Sequence, residues 1–224
     1  KIQILQGVDL NVSEGQIVAL LGGNGTGKTT LLKALSGLLP VWDGAIEFDG
    51  QPIQNLPPHT IVRAGLTQVT QGKDAYPAMT VEENLMLGAY TRNNKPAIAN
   101  DLERVYTFFP RLLERRTQLS ATLSGGEGQM LVIGRGLMAS PKLLMLDEPA
   151  AGLNPRETDD LKELISELRD QHQITVLLIE HDMSLVMDIS DRITVINQGR
   201  PLAAGTPDEV RQNDDVIKAY LGEA

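Results

Sequence analysis

The stretch Leu21-Gly22-Gly23-Asn24-Gly25-Thr26-Gly27-Lys28-Thr29-Thr30 constrains this chain more than any other. It follows the apolar run Ile17-Val18-Ala19-Leu20-Leu21 and precedes Leu31-Leu32-Lys33-Ala34-Leu35, so it falls where a buried strand passes into a helix. Gly22 to Gly27, followed by Lys28 and Thr29, fits the pattern G-x-x-x-x-G-K-[ST]. Glycine lets the backbone turn tightly and approach a phosphate without a Cβ in the way. The freed N–H groups and the positive end of the next helix then favour an anion. Lys28 adds a point charge for the β- and γ-phosphates, and the Thr29 hydroxyl is placed to ligate Mg²⁺. Residues 22–30 are therefore the candidate phosphate site; a glycine-rich turn that binds nothing would leave the Lys-Thr pair unexplained.

Charge limits the partners. Twenty Lys and Arg against 29 Asp and Glu leave a formal charge of −9, a poor basis for gripping nucleic acid through its phosphates. With 42% hydrophobic residues over 224 positions, the chain can bury a full core, as one large domain or as a core with a subdomain. There is no cysteine, which excludes disulfides and thiolate metal sites and suits the cytoplasm. No apolar run approaches the roughly 20 residues needed to cross a bilayer, so a membrane role would come through a partner. The sequence opens on Lys1 and soon enters the alternation Val8, Leu10, Val12, which reads as a trimmed start without a signal peptide.

Strand and helix patterns then alternate. Residues 1–21 read as short strands joined by the turn Ser13-Glu14-Gly15. A helix is expected over 28–39, stopped by Pro40, and a strand over 45–50 closed by a turn, with Trp42 and Phe48 as packing residues. Pro57-Pro58 precedes a short helix near 60–64, and the strand 66–69 delivers Gln71-Gly72 to its end. Thr80-Val81-Glu82-Glu83 is a capping box opening a helix to about residue 90, and a second helical pattern covers 98–109. Residues 77–140 read as a mostly helical insertion in an α/β core made of 1–76 and 141–224. Near the end, strands over 192–196 and 200–204 turn at Asn197-Gln198-Gly199, and Thr206-Pro207-Asp208-Glu209 caps a terminal helix.

Three further stretches carry chemistry. The apolar strand Leu143-Leu144-Met145-Leu146 ends in Asp147-Glu148, two carboxylates at a C-terminal strand edge where open α/β sheets bind ligands. Asp147 can complete a Mg²⁺ shell with Thr29, and Glu148 can polarise a water for in-line attack on a γ-phosphate. A helix over 155–170 leads to the apolar strand 174–179, which ends in Glu180-His181-Asp182. A lone His is commonly structural, but this one ends a core strand as Asp147 does, which makes it a γ-phosphate contact. Inside the insertion lies Leu123-Ser124-Gly125-Gly126-Glu127-Gly128-Gln129. Ser124 and Glu127 alone make a capping box. Gly125 and Gly126 cost about 1 kcal/mol each relative to Ala in a first helical turn, a penalty that makes sense where backbone N–H groups approach an anion.

These four motifs, in this order, resemble the nucleotide-binding subunit of an ABC transporter over essentially the whole chain. The phosphate loop alone would indicate a P-loop NTPase; LSGGE between that loop and the LLMLDEP strand is specific to the ABC family. The resemblance implies a RecA-like P-loop core with an antiparallel β subdomain and an inserted helical subdomain. It implies ATP and Mg²⁺ as cofactors, with Gln71 in the Q-loop and beside the metal, Ser124 to Gln129 as the signature, Asp147 as the Walker B aspartate, Glu148 as the catalytic glutamate and His181 as the switch histidine. Family members sandwich two ATP between two subunits head to tail, so Ser124, Gly125, Gly126 and Glu127 would serve the partner's nucleotide. Integral permease subunits would hold the protein at the inner face of the cell membrane.

Closer likeness points to the ATPase subunits of branched-chain amino acid importers, with amide or urea importers and the lipopolysaccharide export ATPase as relatives. The stretch from Thr80 to Tyr90 is similar to one of the paired importer subunits; Glu180 to Met187 and the ending Ala219-Tyr220-Leu221-Gly222-Glu223 are similar to the other. Three departures stand out: no aromatic residue precedes the first strand to stack on adenine, which implies weaker nucleotide binding; Asn154 stands where the D-loop commonly has Asp; and Gly128 replaces a longer polar residue. A non-transport ABC ATPase is disfavoured by the single cassette, the acidic balance and the lack of a long heptad insertion. A dimerising module without turnover is disfavoured because Glu148 and His181 are both present.

Overall fold

The computed structural model describes residues 4–72 and 75–221. Its centre is a six-stranded sheet in the order β4-β5-β6-β1-β7-β8. The strands are β1 (Ile17–Leu21), β4 (Leu66–Val69), β5 (Leu143–Asp147), β6 (Thr175–Ile179), β7 (Arg192–Asn197) and β8 (Arg200–Gly205). All neighbours run parallel except β7 and β8, which close as an antiparallel hairpin. Successive side chains of a strand leave on opposite faces, and the two faces bury different clusters: Ile17, Ala19 and Leu21 join one, Val18 and Leu20 the other. A parallel sheet covered on both faces accounts for the continuous apolar runs that marked these strands.

One face carries α1 (Lys28–Leu35), α2 (Pro58–Ala64) and the hairpin of β2 (Glu47–Phe48) and β3 (Gln51–Pro52). That hairpin turns through Asp49 (φ 52°) and Gly50 (φ 69°), the turn geometry that suits strand twist. Among the described residues the antiparallel pairings are this hairpin, β7–β8 and an isolated bridge between Thr80 and Leu119. Residues 4–12 pack beside it through Leu5, Val8, Leu10 and Val12 without forming the short strands expected there. Alternation alone places side chains; a strand also needs a backbone partner, and the bond from Gln6 N to Gly199 O (2.7 Å) joins this segment to the loop after β7. The turn at 13–16 is present, with Gln16 N on Ser13 O (3.3 Å).

Two other expectations are corrected. Helix α1 ends at Leu35, four residues before the expected stop, because the chain folds back through Gly37: Leu38 N donates to Lys33 O (2.8 Å) and Gly37 N to Ala34 O (3.1 Å), a Schellman turn. Trp42 is 61% exposed and is not a packing residue; Asn55 pairs with both backbone groups of Val41 (2.8 and 3.1 Å), which fixes the loop with the indole outside. Phe48 does pack against the core.

Between β4 and β5 come α3 (Val81–Leu87), α4 (Lys95–Phe108), α5 (Pro110–Glu114), a single 3-10 turn and α6 (Gly125–Leu137). The capping boxes read from the sequence are formed at Thr80/Glu83 and Ser124/Glu127. After β5 follow α7 (Pro155–Asp170), α8 (Met183–Ile189), α9 (Pro207–Arg211) and α10 (Asp214–Leu221). The expected single terminal helix is thus two, and Gly222 and Glu223 of the ending motif lie outside the described residues, as does Lys1.

Helix α3 reaches α6 at one very close approach: a Cβ on Gly88 would collide with the Arg135 carbonyl oxygen. Backbone cannot yield as a flexible side chain does. Gly88→Ala is expected to lower the unfolding free energy by about 3 kcal/mol, read from urea denaturation midpoints; stability equal to the parent would show that the two helices separate freely.

Candidate functional site

The parallel register brings four strand ends to one edge. Leu20 sits beside Ile179, Ile179 beside Asp147, and Leu146 beside Val69. The residues that follow, 22–30 after β1, Gln71 after β4, Asp147-Glu148 at β5 and Glu180-His181 after β6, therefore emerge together. This is the crevice at carboxyl strand ends where open α/β sheets take ligands.

The loop after β1 leads into a helix start that no side chain caps. Gly27 is the N-cap of α1 at φ 108°, left-handed backbone that a residue with a Cβ rarely adopts, and no side chain caps the helix. By contrast, α3, α6, α7 and α9 are all closed by side-chain capping boxes with a glutamate in the first turn. The first turn of α1 holds no acidic residue, so its N–H groups and dipole stay available to an outside anion. Thr26 Oγ1 donates to Gly23 O (2.8 Å) and closes the loop on itself. Lys28 is 7% exposed, and its Nζ donates to Gly22 O (2.6 Å) and Gly23 O (3.1 Å). Gly23, Asn24, Gly25 and Thr29 are exposed, and Thr30 is half-buried.

Opposite the loop, carboxylates converge. Asp147 is 4% exposed. Burial, then the charge of Glu148 and more weakly that of Glu180, push its carboxyl above the ordinary range, against the pull of Lys28 and of the Gln71 backbone N–H. Glu148 has φ 49°, a left-handed conformation that costs on the order of 1–3 kcal/mol for a residue with a Cβ. Its N–H donates to Ile179 O (2.8 Å). The Glu148 Oε2 accepts from Gln71 Nε2 and lies 3.8 Å from His181 Nδ1. Gln71, Glu148 and His181 are thus one contact group, although 110 positions separate the first from the last.

The other predicted segment is organised differently. Ser124 Oγ accepts from Glu127 N (3.2 Å), and Glu127 Oε2 accepts from Ser124 N (2.9 Å). Glu127 Oε1 pairs with Arg115 Nε at 3.0 Å. Both carboxylate oxygens of Glu127 are engaged inside this chain, and these bonds do not reach the loop at 22–30. Gly126 is buried with the Glu157 carboxylate against it, so Ser124, Gly125 and Gly126 form a helix start pinned from two sides.

Three sets of contacts are not among the expectations drawn from the sequence. Arg115 holds Glu127; Asn154 and Glu157 form a capping box on α7; and Glu180, 1% exposed, accepts from two backbone N–H groups near Glu148. The box was visible as Asn154 followed three residues later by Glu157, and a glutamate closing the apolar run Val176 to Ile179 was the signal for Glu180.

The donors present fit a nucleotide with Mg²⁺. Among the described residues no three His, Cys, Asp or Glu side chains form a metal cage. A cation here would take one carboxylate, a hydroxyl and phosphate oxygens, the way Mg²⁺ is commonly held beside phosphates.

Comparisons with known proteins give the family. Residues 5–151 match the ABC transporter family model, and residues 200–224 match that of the branched-chain amino acid ATP-binding cassette transporter. The high-affinity branched-chain amino acid transport ATP-binding protein BraF of Pseudomonas aeruginosa is 47% identical, over 98% of this chain and 92% of that protein. BraG of the same organism, also named a branched-chain amino acid transport ATP-binding protein, is 40% identical over 99% and 94%. Among solved structures, a nucleotide-free ATP-binding cassette from an ABC transporter superposes with a TM-score of 0.88 at 28% identity, covering 98% of this chain and 93% of that one. The ADP conformation of the cassette MJ1267 gives 0.85 at 28% identity, over 98% and 93%. Matched by the family model over residues 5–151 and 47% identical to BraF over 98% of its length, the chain belongs to the ABC transporter family, as an ATP-binding cassette.

Proposed function

We propose that this chain is the ATP-hydrolysing subunit of an importer for branched-chain amino acids. The observation that carries the enzymatic part is the meeting of the Lys28 loop, Asp147 and the Gln71–Glu148–His181 group at one sheet edge. The likeness to BraF over 98% of the chain supports the substrate.

Bound MgATP would supply the scissile phosphoryl group and the charge that polarises it. The chain's own residues do the rest. Lys28, already desolvated, exchanges two carbonyl acceptors for phosphate oxygens. The N–H groups of residues 22–30 hold the remaining charge. Thr29 and Asp147 would hold Mg²⁺, with Gln71 beside them. Glu148 takes the proton of the attacking water, and Gln71 and His181 keep its carboxylate on target. Phosphoryl transfer depends on such positioning and charge stabilisation more than on covalent chemistry.

Ser124, Gly125, Gly126 and Glu127 serve the nucleotide of a second cassette, a copy or a paralogue, placed head to tail. The helices over 77–140 form the subdomain that carries this segment. Membrane permease subunits are the other partners. No helix of the described residues is long and apolar enough to cross a bilayer. A cleft of about 540 Å³ bordered by α2, β4, α3 and α6, with Leu87 and Tyr90 exposed at its rim, offers those subunits a surface next to Gln71. Nucleic acid is not a partner, consistent with the charge of −9.

Phosphate release from MgATP is expected to rise faster than linearly with protein concentration and to fall about 10²–10⁴-fold in Glu148→Gln; release that stays linear, or survives the substitution, refutes a two-chain site with Glu148 as base. Lys28→Ala should weaken nucleotide binding about 10–100-fold, the value of a charge-assisted hydrogen bond, measured by titration calorimetry. Unchanged affinity would place the phosphates elsewhere.

A further inference from the structure

Glu180 is a buried carboxylate for which the mechanism above has no use. It is 1% exposed and directly follows β6, whose last four residues, Val176 to Ile179, are buried and apolar. Burying a charge is costly unless it is hydrogen-bonded, and an acid at this edge also adds to the charge that Asp147 and Glu148 already carry. A hydrophobic residue would end β6 at lower cost, so the carboxylate calls for a local reason.

Its contacts supply one. Glu180 Oε1 accepts from Ala150 N (2.8 Å), and Oε2 accepts from His181 N (3.1 Å). The first bond crosses to the loop that leaves β5; the second holds the residue that leaves β6. Ala150 lies two positions beyond Glu148, and Ala151 N donates back to Glu148 O (3.1 Å), so the loop held by Glu180 is the one that keeps Glu148 at φ 49°. Strained backbone of this kind persists only where its surroundings over-determine it. On the other side, His181 Nδ1 lies 3.8 Å from Glu180 Oε2 and 3.8 Å from Glu148 Oε2. The carboxylate therefore braces both members of the Glu148–His181 pair through their main chains.

We propose that Glu180 is a positioning residue for hydrolysis: it clamps the loop after Glu148 to the base of His181 and so sets the spacing of the two side chains. The inference rests on the reading of Glu148 and His181 given above. It acts on their placement and not on the phosphate loop, so it should leave nucleotide binding alone.

The test is Glu180→Gln, which keeps size and one acceptor oxygen but turns an NH₂ toward one of the two N–H donors. Expected are phosphate release at least about tenfold lower with nucleotide affinity within about twofold of the parent, as loss of a hydrogen bond to a charged group at a positioned site implies. Amide exchange at Ala150 and His181 should accelerate by a similar factor, with the amides of β5 and β6 unchanged. Parent-like exchange at those two amides overturns the clamp whatever the activity. Accelerated exchange throughout β5 and β6, or affinity falling in step with release, overturns it in favour of a general structural role. If Glu180→Gln does not fold, Glu180→Asp, which keeps the charge on a shorter arm, is read by the same criteria. Absence of release by the parent with those amide results intact would refute the assignment of Glu148 and leave the clamp standing as a structural fact.

Discussion

The parallel pairing of β4, β5, β6 and β1 is the constraint on which everything else rests. Because the four strands run in one direction and in register, each delivers its C-terminal residue to the same edge. A phosphate loop, a glutamine, an acidic pair and a histidine, scattered over 160 positions from Gly22 to His181, become neighbours without any of them being adjacent in sequence. The helices on both faces are what permits the arrangement, since a sheet of this kind must be covered on each side.

Within that edge, charge is arranged by burial. Lys28 and Asp147 are nearly inaccessible, whereas His181 is 67% exposed on its side chain and Gln71 is exposed. The deep groups therefore deal in fixed electrostatics, and the shallow ones stand where a second body can reach them. The difference suits a site whose nucleotide is gripped by one chain and whose closure depends on another. Ser124 and Gly126 fit the same division, since their helix start is pinned by Arg115 and Glu157 and not by the loop of its own chain.

Much of this was legible in the sequence because the signals were local. Apolar runs of four or five residues bounded by glycine or acid identified β1, β5 and β6, and three capping boxes announced their helices. What failed depended on contacts between distant residues. Trp42 reads as a packing residue, but Asn55, thirteen positions away, fixes its loop with the indole outside. Residues 4–12 have the alternation of a strand without a partner to make one. Helix α8 went unseen although Asp182 caps it through Ser184 N and Leu185 N; that aspartate was read as the end of a strand motif. The Glu180 brackets likewise depend on Ala150, thirty positions back, and periodicity carries no trace of such a bond.

The seat of Lys28 carries a thermodynamic consequence. Its ammonium is stripped of water when the chain folds, and two backbone carbonyls stand in for the lost hydration. The desolvation of that charge is therefore settled before any nucleotide arrives, and it falls on the stability of the protein instead of on the affinity for its ligand. An uncharged side chain of similar length would relieve the folded state of that desolvation, take this donor from Gly22 O and Gly23 O, and weaken the proposed grip on phosphate. On the proposed reading of the site, the cost of stripping this charge of water falls on folding and its return on binding, in a single side chain held by the carbonyls of Gly22 and Gly23.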